Sequence, residues 1–280
     1  MGDRVSIIQQ AAASETLPEA LANADYLRQR IEPDPRDQFY LPLADLRSFL
    51  DVCGMRPFAT VLDYGCGGSP YRGLFRGVDR YIRADYVESP NLDVRIDDSG
   101  VLPLPSDSCD CVLSTQVFEH VLSPQQYLSE AMRVLRPGGT LILTTNGIWE
   151  DHGCPYDFWR WTADGLRREV SQAGFDVVQV TKLTTGPRAL LFLLGSMPFQ
   201  ISDSRRTMHG LGLWLLNRFL LRNRRTVHRW ADRRYASHRV VDAGDQRHRL
   251  YICLGVMAIK RPEASSVAES VRTGAGRGRA

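Results

Sequence analysis

A glycine-rich turn carries the first side chains that could do chemistry. In residues 61–71, VLDYGCGGSPY, an apolar strand runs into Gly65 and Gly67, which let the backbone approach a ligand closely. Asp63 lies two residues before Gly65, where a site built for a pyrophosphate would repel its ligand. A carboxylate at this place favours a ligand with a cationic amino-acid end.

A second acid, Asp85, ends the next apolar stretch. It lies twenty residues past Gly65, which is the spacing of a carboxylate that binds ribose hydroxyls. Any tight strand–helix turn favours glycine, so the turn alone has an equally good structural interpretation. The two acids together point to one ligand that has an amino acid, a ribose and a positive charge, which is S-adenosylmethionine.

Two histidines follow later strands. His120 lies in QVFEHV, and His152 lies in EDHGCPYDFWRWT, residues 150–162. A neutral imidazole could accept the proton of a hydroxyl while its oxygen forms a new bond. Purely structural alternatives exist: His120 as a helix residue bonded to a carbonyl or to Glu119, and the aromatic stretch as a plug over the end of the sheet.

The elements that would position these residues alternate between strand and helix. Strands are predicted at ATVLDYG, RYIRADY, CDCVLST, TLILTTN and DVVQVTKL, with helical patterns at 17–31, 41–54, 70–77, 117–135 and 162–174. Thr162 is the predicted N-cap and Gly174 the predicted C-cap of the last helix. This alternation predicts an α/β fold, in which a mostly parallel sheet has helices on both faces and binds ligands at the carboxyl ends of its strands.

Four motifs, in order, carry a family resemblance. They are VLDYGCGGSPY, YIRADY, DDSGVLPLPSDSCDCVLSTQVFEHV and EAMRVLRPGGTLILTT. The chain resembles the class I S-adenosylmethionine-dependent methyltransferases, in the branch named for the type 11 methyltransferase domain. The resemblance covers about two-thirds of the chain. It implies a Rossmann-like fold with a seven-stranded sheet, methyltransferase activity and S-adenosyl-L-methionine as cofactor. Two departures, GGSP in place of the usual third glycine and Cys109 in place of an aromatic, remove no side chain that the chemistry needs.

The resemblance also implies roles for individual residues. The cofactor set is Asp63, Gly65 and Gly67 at the methionine end, Asp85 at the ribose, Asp98 with Ser99 at the adenine edge, and Thr115 with Gln116 beneath the sulfonium. Asp97 lies beside Asp98 and either acid could instead be a turn or cap residue, but Asp98 has the family's spacing before Leu102 and Pro103.

Residues 152–162 resemble the His-x-x-Pro-x-Asp-(Phe/Tyr)-Trp-Arg-(Phe/Trp)-Thr segment of a bacterial subgroup linked to glycan or cell-envelope biosynthesis. The residues predicted to act on the acceptor are His152, His120 and Asp157. Phe158 and Trp161 are predicted to pack, and Arg160 could pair with a nearby acid. Aromatic faces beside such polar groups fit a sugar-like acceptor.

The sequence predicts no metal site. The six cysteines are scattered, with no Cys-x-x-Cys pair, and Gln116 stands where metal-dependent relatives carry an acid. The first residues have no basic stretch followed by an apolar run, so we expect a cytoplasmic protein.

Charge divides the chain. Residues 1–186 carry 26 acidic and 17 basic residues, whereas residues 187–250 carry 13 arginines and 4 aspartates. The predicted organisation is an N-terminal helical extension (1–40), a methyltransferase core (41–186), an arginine-rich apolar helical insertion (187–250), a final core strand (251–261) and a disordered tail (262–280).

The insertion suggests where the protein works. Its apolar runs are too short to span a bilayer, but Leu, Trp and Phe beside arginines are typical of a helix in a membrane interface. A cover over the acceptor pocket and a homodimer interface are alternatives, and nucleic acid is not expected as a partner. We predict O-methylation of a glycan-type or lipid-linked acceptor by a peripheral protein at the inner membrane face. A soluble small-molecule acceptor is one alternative, and a non-catalytic cofactor-binding or membrane-adaptor protein is another.

Overall fold

A computed structural model describes residues 24–88, 91–97, 100–152, 156–196 and 208–261. In these ranges the helices are α1 (Ala24–Ile31), α2 (Tyr40–Gly54), α3 (Pro124–Val134), α4 (Ala163–Gln172), α5 (Gly186–Ser196), α6 (Met208–Arg222) and α7 (Arg224–Arg234). The strands are β1 (Thr60–Tyr64), β2 (Arg80–Asp85), β3 (Val94–Arg95), β4 (Cys109–Thr115), β5 (Leu135–Asn146), β6 (Phe175–Thr185), β7 (Val240–Asp242) and β8 (Tyr251–Lys260).

All eight strands form one sheet in the order β3-β2-β1-β4-β5-β8-β6-β7. The pairs from β3 to β5 are parallel, and β8 runs antiparallel between β5 and β6. The predicted mostly parallel α/β sheet is therefore confirmed. The predicted number of seven strands is wrong by one, because β7 adds an antiparallel edge strand to β6. Chain order reverses between β1 and β4, which is where such sheets bind ligands.

Alternating strand residues build a core on each face of the sheet. Leu141 and Leu143 of β5 pack with α3 and α4, whereas Ile142 between them packs on the opposite face with α2 and α5. All three are fully buried. Successive side chains of a strand point to opposite faces, so a nearly continuous apolar run is what a sheet covered on both sides requires.

The helix predicted at 70–77 is absent. That stretch forms a single 3-10 turn at Arg72–Leu74, and Gly77 adopts a φ of 68° that a helix cannot contain. Two glycines within five residues make a regular helix costly there. The glycine turn therefore has no helix N-terminus behind it, and the N–H groups of Gly65 and Gly67 are bonded within the protein, to Ala84 O and Asp85 Oδ2.

The helix predicted at 117–135 begins later than expected. It starts at Pro124, whose fixed φ suits the first turn of a helix. Residues 116–123 form irregular turns, so His120 lies in a loop between β4 and α3. The loop places Glu119 in a buried position, where its carboxylate accepts hydrogen bonds from β5. The helix predicted at 162–174 agrees better with the structure, where it is α4. The Thr162 side chain accepts the Gly165 N–H as N-cap, and Gly174 follows the helix with a φ of 96°.

Residues 187–250 are only partly helical. They contain most of α5 and all of α6 and α7, but they also supply β7, so they contribute an edge strand to the sheet. No helix among the described residues has the length and apolar character that crossing a membrane requires. Residues 1–23, in which the predicted first helix starts, and the predicted disordered tail from 262 lie outside the described residues.

Candidate cofactor and acceptor site

The predicted site residues meet at one edge of the sheet. Asp85, Thr115 and Asn146 are the last residues of β2, β4 and β5, and Asp63 is the penultimate residue of β1. Parallel register aligns these ends, because Tyr64 pairs with Ala84 and Thr115 pairs with Thr144. The predicted residues Asp63, Asp85 and Thr115 therefore lie at the carboxyl ends of neighbouring parallel strands, and their role in binding stays a prediction.

The glycine turn closes tightly on the loop after β4. Gly65 has a φ of 80°, and a Cβ placed on it would lie 2.5 Å from Cγ2 of Val117. Gly67 has a φ of 49°, and its N–H donates to Oδ2 of Asp85 at 2.6 Å. Only glycine fits Gly65 here, since both its conformation and its neighbour exclude a side chain.

Asp63 is a buried acid without a cationic partner. Its side chain is almost fully buried, and Oδ2 accepts the hydroxyl hydrogen of Tyr81 at 2.8 Å. Burial, with a smaller contribution from the nearby Asp85, raises the pKa of Asp63 to about 7, although the hydroxyl of Tyr81 acts against the shift. No ion pair to Asp63 forms within the described ranges. A buried carboxylate of this kind is stabilised by an incoming cation, so the site fits a ligand that brings an ammonium group.

Asp85 keeps acceptor capacity toward a ligand. Oδ2 is bonded to Gly67 N–H, and Oδ1 accepts the Val87 N–H at 2.9 Å. Burial raises its pKa, while these backbone bonds act against the shift. Tyr86 N–H also bonds to this carboxylate, and since each oxygen has two acceptor positions, Asp85 keeps room for a ribose hydroxyl. Asp98 and Ser99, predicted at the adenine edge, lie outside the described residues.

Gln116 holds the chain in a strained turn directly after β4. Its φ is 55°, which is uncommon for a residue with a side chain, and its N–H donates to Thr144 O at 2.9 Å. Its side-chain amide lies 3.2 Å from Thr144 Oγ1. Strain of this type concentrates at functional sites. Thr115 and Gln116 thus lie at the switch point, as the predicted site requires.

On the acceptor side, the structure adds a residue that sequence reasoning missed. Glu119 is fully buried, and its carboxylate accepts Thr145 Oγ1–H and Asn146 Nδ2–H, each at 2.8 Å. Its backbone carbonyl accepts the N–H groups of Phe158 and Trp159. Glu119 therefore joins the loop after β4 to the end of β5 and to the aromatic stretch. Burial raises its pKa. In the sequence, the position of this acid inside the apolar run VFEHV could have indicated that it is buried.

The two predicted histidines lie side by side. Their ring centroids are 4.9 Å apart in an edge-on arrangement. Nδ1 of His120 lies 2.6 Å from Tyr156 O, and Nδ1 of His152 lies 3.2 Å from Asp157 Oδ2 and 3.3 Å from Glu150 O. Oxygens of these kinds only accept hydrogen bonds, so both rings carry their hydrogen on Nδ1. Nε2 of each ring is then the free acceptor.

Asp157 is engaged with its neighbours. Its two oxygens accept both terminal nitrogens of Arg160, at 2.6 and 2.5 Å, and Oδ2 also accepts the His152 N–H at 3.0 Å. The guanidinium holds the pKa of Asp157 well below its usual range. A carboxylate in a bidentate ion pair is a poor proton acceptor, so Asp157 is placed to orient His152 and not to act on an acceptor directly.

The aromatic stretch divides into packed and exposed rings. Trp161 stacks on Phe118 with centroids 4.9 Å apart, as expected of a packing residue. Phe158 packs only in part: its ring centroid lies 5.6 Å from that of Tyr156, but 41% of the residue is exposed, and Trp159 beside it is 38% exposed. Both backbones are fixed by the Glu119 carbonyl, which presents their rings outward. Cys154 lies outside the described residues.

Comparisons with known proteins agree with the motifs. Residues 62–143 match the family model described as "Methyltransferase domain". A probable S-adenosylmethionine-dependent methyltransferase of Mycolicibacterium smegmatis is 39% identical over 133 residues, which covers 42% of this chain and 52% of the relative. A protein of the same description from Mycobacterium tuberculosis is 33% identical over 144 residues, covering 46% and 53%. The chain thus matches about half the length of these curated relatives.

Solved structures share the fold. A possible histamine N-methyltransferase from Thermotoga maritima aligns with a TM-score of 0.51 at 14% identity, covering 88% of this chain and 99% of that one. The [4+2]-cyclase SpnF aligns with a TM-score of 0.50 at 17% identity, covering 82% and 85%. At such identities the likeness concerns the fold alone. Because one of these neighbours is described as a cyclase, the shared fold does not determine the reaction, and the activity must be argued from the site.

Proposed function

From the premise that residues 62–143 are a methyltransferase domain within the class I S-adenosylmethionine-dependent methyltransferase fold, we propose that the chain methylates a hydroxyl group of a glycan-type acceptor. The observation that carries the proposal is the gathering of two kinds of group at one sheet edge. Asp63 and Asp85 suit the cofactor, and the imidazoles of His120 and His152 suit a hydroxyl acceptor.

The cofactor would be held by groups of the glycine turn and its neighbours. We assign the methionine ammonium to Asp63, close backbone approach to Gly65 and Gly67, and the ribose hydroxyls to Asp85. Thr115 and Gln116 would line the site beneath the sulfonium, with Asp98 and Ser99 proposed at the adenine edge. S-adenosylmethionine supplies a methyl group already activated by its positive sulfur. The protein's own task is to place the acceptor in line and exclude water.

The imidazoles would manage the acceptor's proton. Nε2 of His152 would accept the hydroxyl hydrogen as the acceptor oxygen takes the methyl group, whose former bonding electrons would stay on the sulfur of the bound cofactor. The Glu150 carbonyl, 3.3 Å from Nδ1, would hold His152 in the required tautomer, and the Asp157 carboxylate lies 3.2 Å from the same nitrogen. His120 offers a second neutral Nε2 at the same place. Its backbone N–H donates to Val117 O, and Val117 packs on Gly65, which links the acceptor loop to the glycine turn.

A sugar-like acceptor is supported by the exposed rings. Phe158 and Trp159 present exposed aromatic surface and are bonded through their backbones to the carbonyl of Glu119, and Trp159 is further fixed by a hydrogen bond of 2.7 Å from Nε1 to Val121 O. Rigid aromatic faces next to hydrogen-bonding groups match the alternating apolar and hydroxyl surfaces of a sugar ring. A soluble small-molecule acceptor would use the same groups, and labelled-methyl transfer into cell-envelope extracts against soluble extracts separates the two.

Replacing His152 with Ala should lower methyl transfer to envelope extract by about 100-fold or more, the range for loss of a general base. S-adenosylhomocysteine affinity should not change, because His152 is assigned to the acceptor. Label incorporation and calorimetry measure the two quantities. The matched control is His238→Ala. His238 is partly buried and packs on His248, and it lies 86 residues after His152 in the chain. Full activity in the His152 variant would remove this residue from the mechanism.

Calorimetry also decides between an enzyme and a non-catalytic adaptor. An enzyme of this class must bind S-adenosylmethionine and S-adenosylhomocysteine, and heat with neither ligand would contradict the proposed function. Binding without label transfer to any extract would instead favour a cofactor-binding protein that has lost activity.

We also propose that α6 and α7 lie on an anionic lipid surface, which would place the enzyme next to lipid-linked acceptors. Leu211, Leu215 and Phe219 recur every fourth residue on one face of α6 and are 45%, 53% and 58% exposed. Exposed arginines surround this apolar face and continue through α7: Arg218, Arg222, Arg225, Arg229 and Arg233. Apolar side chains flanked by arginine match acyl chains below anionic headgroups.

Replacing Leu215 and Phe219 together with Ser should reduce binding to phosphatidylglycerol vesicles at least about tenfold, since each buried apolar side chain contributes about 1.5–3 kcal/mol. Vesicle flotation measures the bound fraction. The matched control replaces Val52 near the end of α2 and Met55 directly after it with Ser; these residues are 62% and 72% exposed. If both variants floated with phosphatidylglycerol vesicles as well as wild type does, the contact of α6 with lipid would be contradicted. If wild type bound uncharged vesicles equally well, the preference for an anionic surface would be contradicted.

A further inference from the structure

We infer that Glu119, His120 and His152 form a binding site for one divalent transition-metal ion. Each of the three offers a ligand atom, and these atoms all lie within 4.8 Å of one another. The sequence indicated no metal here, because its cysteines are scattered and Gln116 is not an acid. The structure instead draws one acid and two imidazoles from separate loops into one cluster.

The histidines are prepared as metal ligands by their outer bonds. Nδ1 of His120 donates to Tyr156 O, and Nδ1 of His152 faces the Asp157 carboxylate. A metal-binding histidine almost always donates its other ring N–H to a carbonyl or a carboxylate, which fixes the ring and the tautomer. In this tautomer Nε2 of each ring carries no hydrogen and can bind a metal, and Arg160 in turn fixes Asp157.

Glu119 is fixed in the same way. Thr145 and Asn146 donate to its two oxygens, and both donors are neutral. No lysine or arginine pairs with this fully buried carboxylate in the described ranges, although Arg160 lies in the same region and pairs with Asp157. A buried carboxylate with only neutral donors has negative charge to share with a cation, and each oxygen retains a free acceptor position.

Two imidazoles and one carboxylate select the class of ion. Mg²⁺ and Ca²⁺ prefer sites built from oxygen, whereas Zn²⁺, Mn²⁺, Fe²⁺ and Co²⁺ accept this mixed set. Three protein ligands leave coordination positions open, which is the arrangement of sites that act on a bound molecule. A hydroxyl oxygen of the acceptor would occupy one open position.

This inference deepens the proposed function, on which its catalytic role rests. A metal-bound hydroxyl is more acidic than a free one, so its proton can leave to solvent before the oxygen takes the methyl group. With the ion bound, the imidazoles would be its ligands, and this replaces the proton-accepting role that the proposed function gives to His152 while leaving the methyl transfer itself the same. The ion would keep its oxidation state throughout. The methyl group would still be transferred by in-line displacement, as in the mechanism without a metal.

The test is direct binding of Co²⁺, which reports its ligands through visible absorption, to the full chain after treatment with EDTA. Wild type should bind one ion per chain. His120→Ala and His152→Ala should each weaken binding by about 100-fold. Both side chains are only partly buried, so these variants should fold even if Glu119→Gln does not. The control, His238→Ala, should bind as wild type does.

No stoichiometric binding to wild type, or equal binding by the His152 variant, would overturn the inference. Methyl transfer that persists unchanged after EDTA would overturn the catalytic role of the ion and leave the proposed function intact. Co²⁺ binding by a chain that binds neither S-adenosylmethionine nor S-adenosylhomocysteine would support the metal site and contradict the function.

Discussion

Replacing Asp45 with Ala should lower the free energy of unfolding by about 3–5 kcal/mol, the cost of leaving a buried charge without its partner. Asp45 and Arg188 are both fully buried and bonded at 2.7 and 3.0 Å. The carboxylate also accepts Arg239 Nε and Thr184 Oγ1. Without Asp45, the Arg188 guanidinium would keep only Asp232, at 3.0 Å.

Urea unfolding followed by circular dichroism measures this effect. The matched control is Asp176→Ala, which breaks an ion pair of similar length, 2.7 Å to Arg261, whose members are 52% and 71% exposed. That exposed pair should contribute less than about 1 kcal/mol. Replacing Asp45 and Arg188 together with Leu and Met should restore much of the loss, because two apolar residues leave no charge unpaired. Equal loss in the single and double variants would contradict this account.

The ion pairs of Asp45 show that some of the arginines of residues 187–250 stabilise the core and are not part of a charged surface. The sequence shows 13 arginines in residues 187–250 and suggested one charged surface. Arg188 and Arg239 instead join α5 and the segment before β7 to Asp45 of α2. Composition does not distinguish a buried arginine from an exposed one, since the partner lies more than 140 residues earlier in the chain. Deleting this segment would therefore unfold the core, and point substitutions on α6 are the better test of lipid binding.

Strands and the cofactor loop could be predicted because their causes are local. Apolar runs define β1, β4 and β5, and glycines and acids mark where strands end. The loop after β4 could not be predicted, because its conformation follows from tertiary contacts. Glu119 bonds to Thr145 and Asn146 on another strand, and this contact competes with a helical pattern that continues through the loop. The pairing of His120 with His152 depends on that same loop.

Replacing Asp63 with Asn should weaken S-adenosylhomocysteine binding by about 10- to 100-fold, because a hydrogen bond to a charged group contributes about 1.5–3 kcal/mol. Asn retains the shape and can still accept the Tyr81 hydroxyl hydrogen, so the loss should reflect charge. Calorimetry measures the dissociation constant, and Asp51→Asn, an exposed substitution on α2, is the control. 5′-Methylthioadenosine lacks the amino-acid end, so its affinity should be the same for wild type and for Asp63→Asn.

The pH dependence gives the same carboxylate a second, independent test. With its pKa raised to about 7, Asp63 is ionised above that pH and protonated below it. The cofactor's ammonium requires the ionised form, so affinity for S-adenosylhomocysteine should fall about tenfold between about pH 8 and about pH 6. The groups around Asp63 are Tyr81 and Ser69, which favour its ionised form, and Asp85, which opposes it. Asp63→Asn should remove the dependence, and methylthioadenosine should not show it. A slope that survives the substitution would assign the titration, and with it the ammonium, to another group.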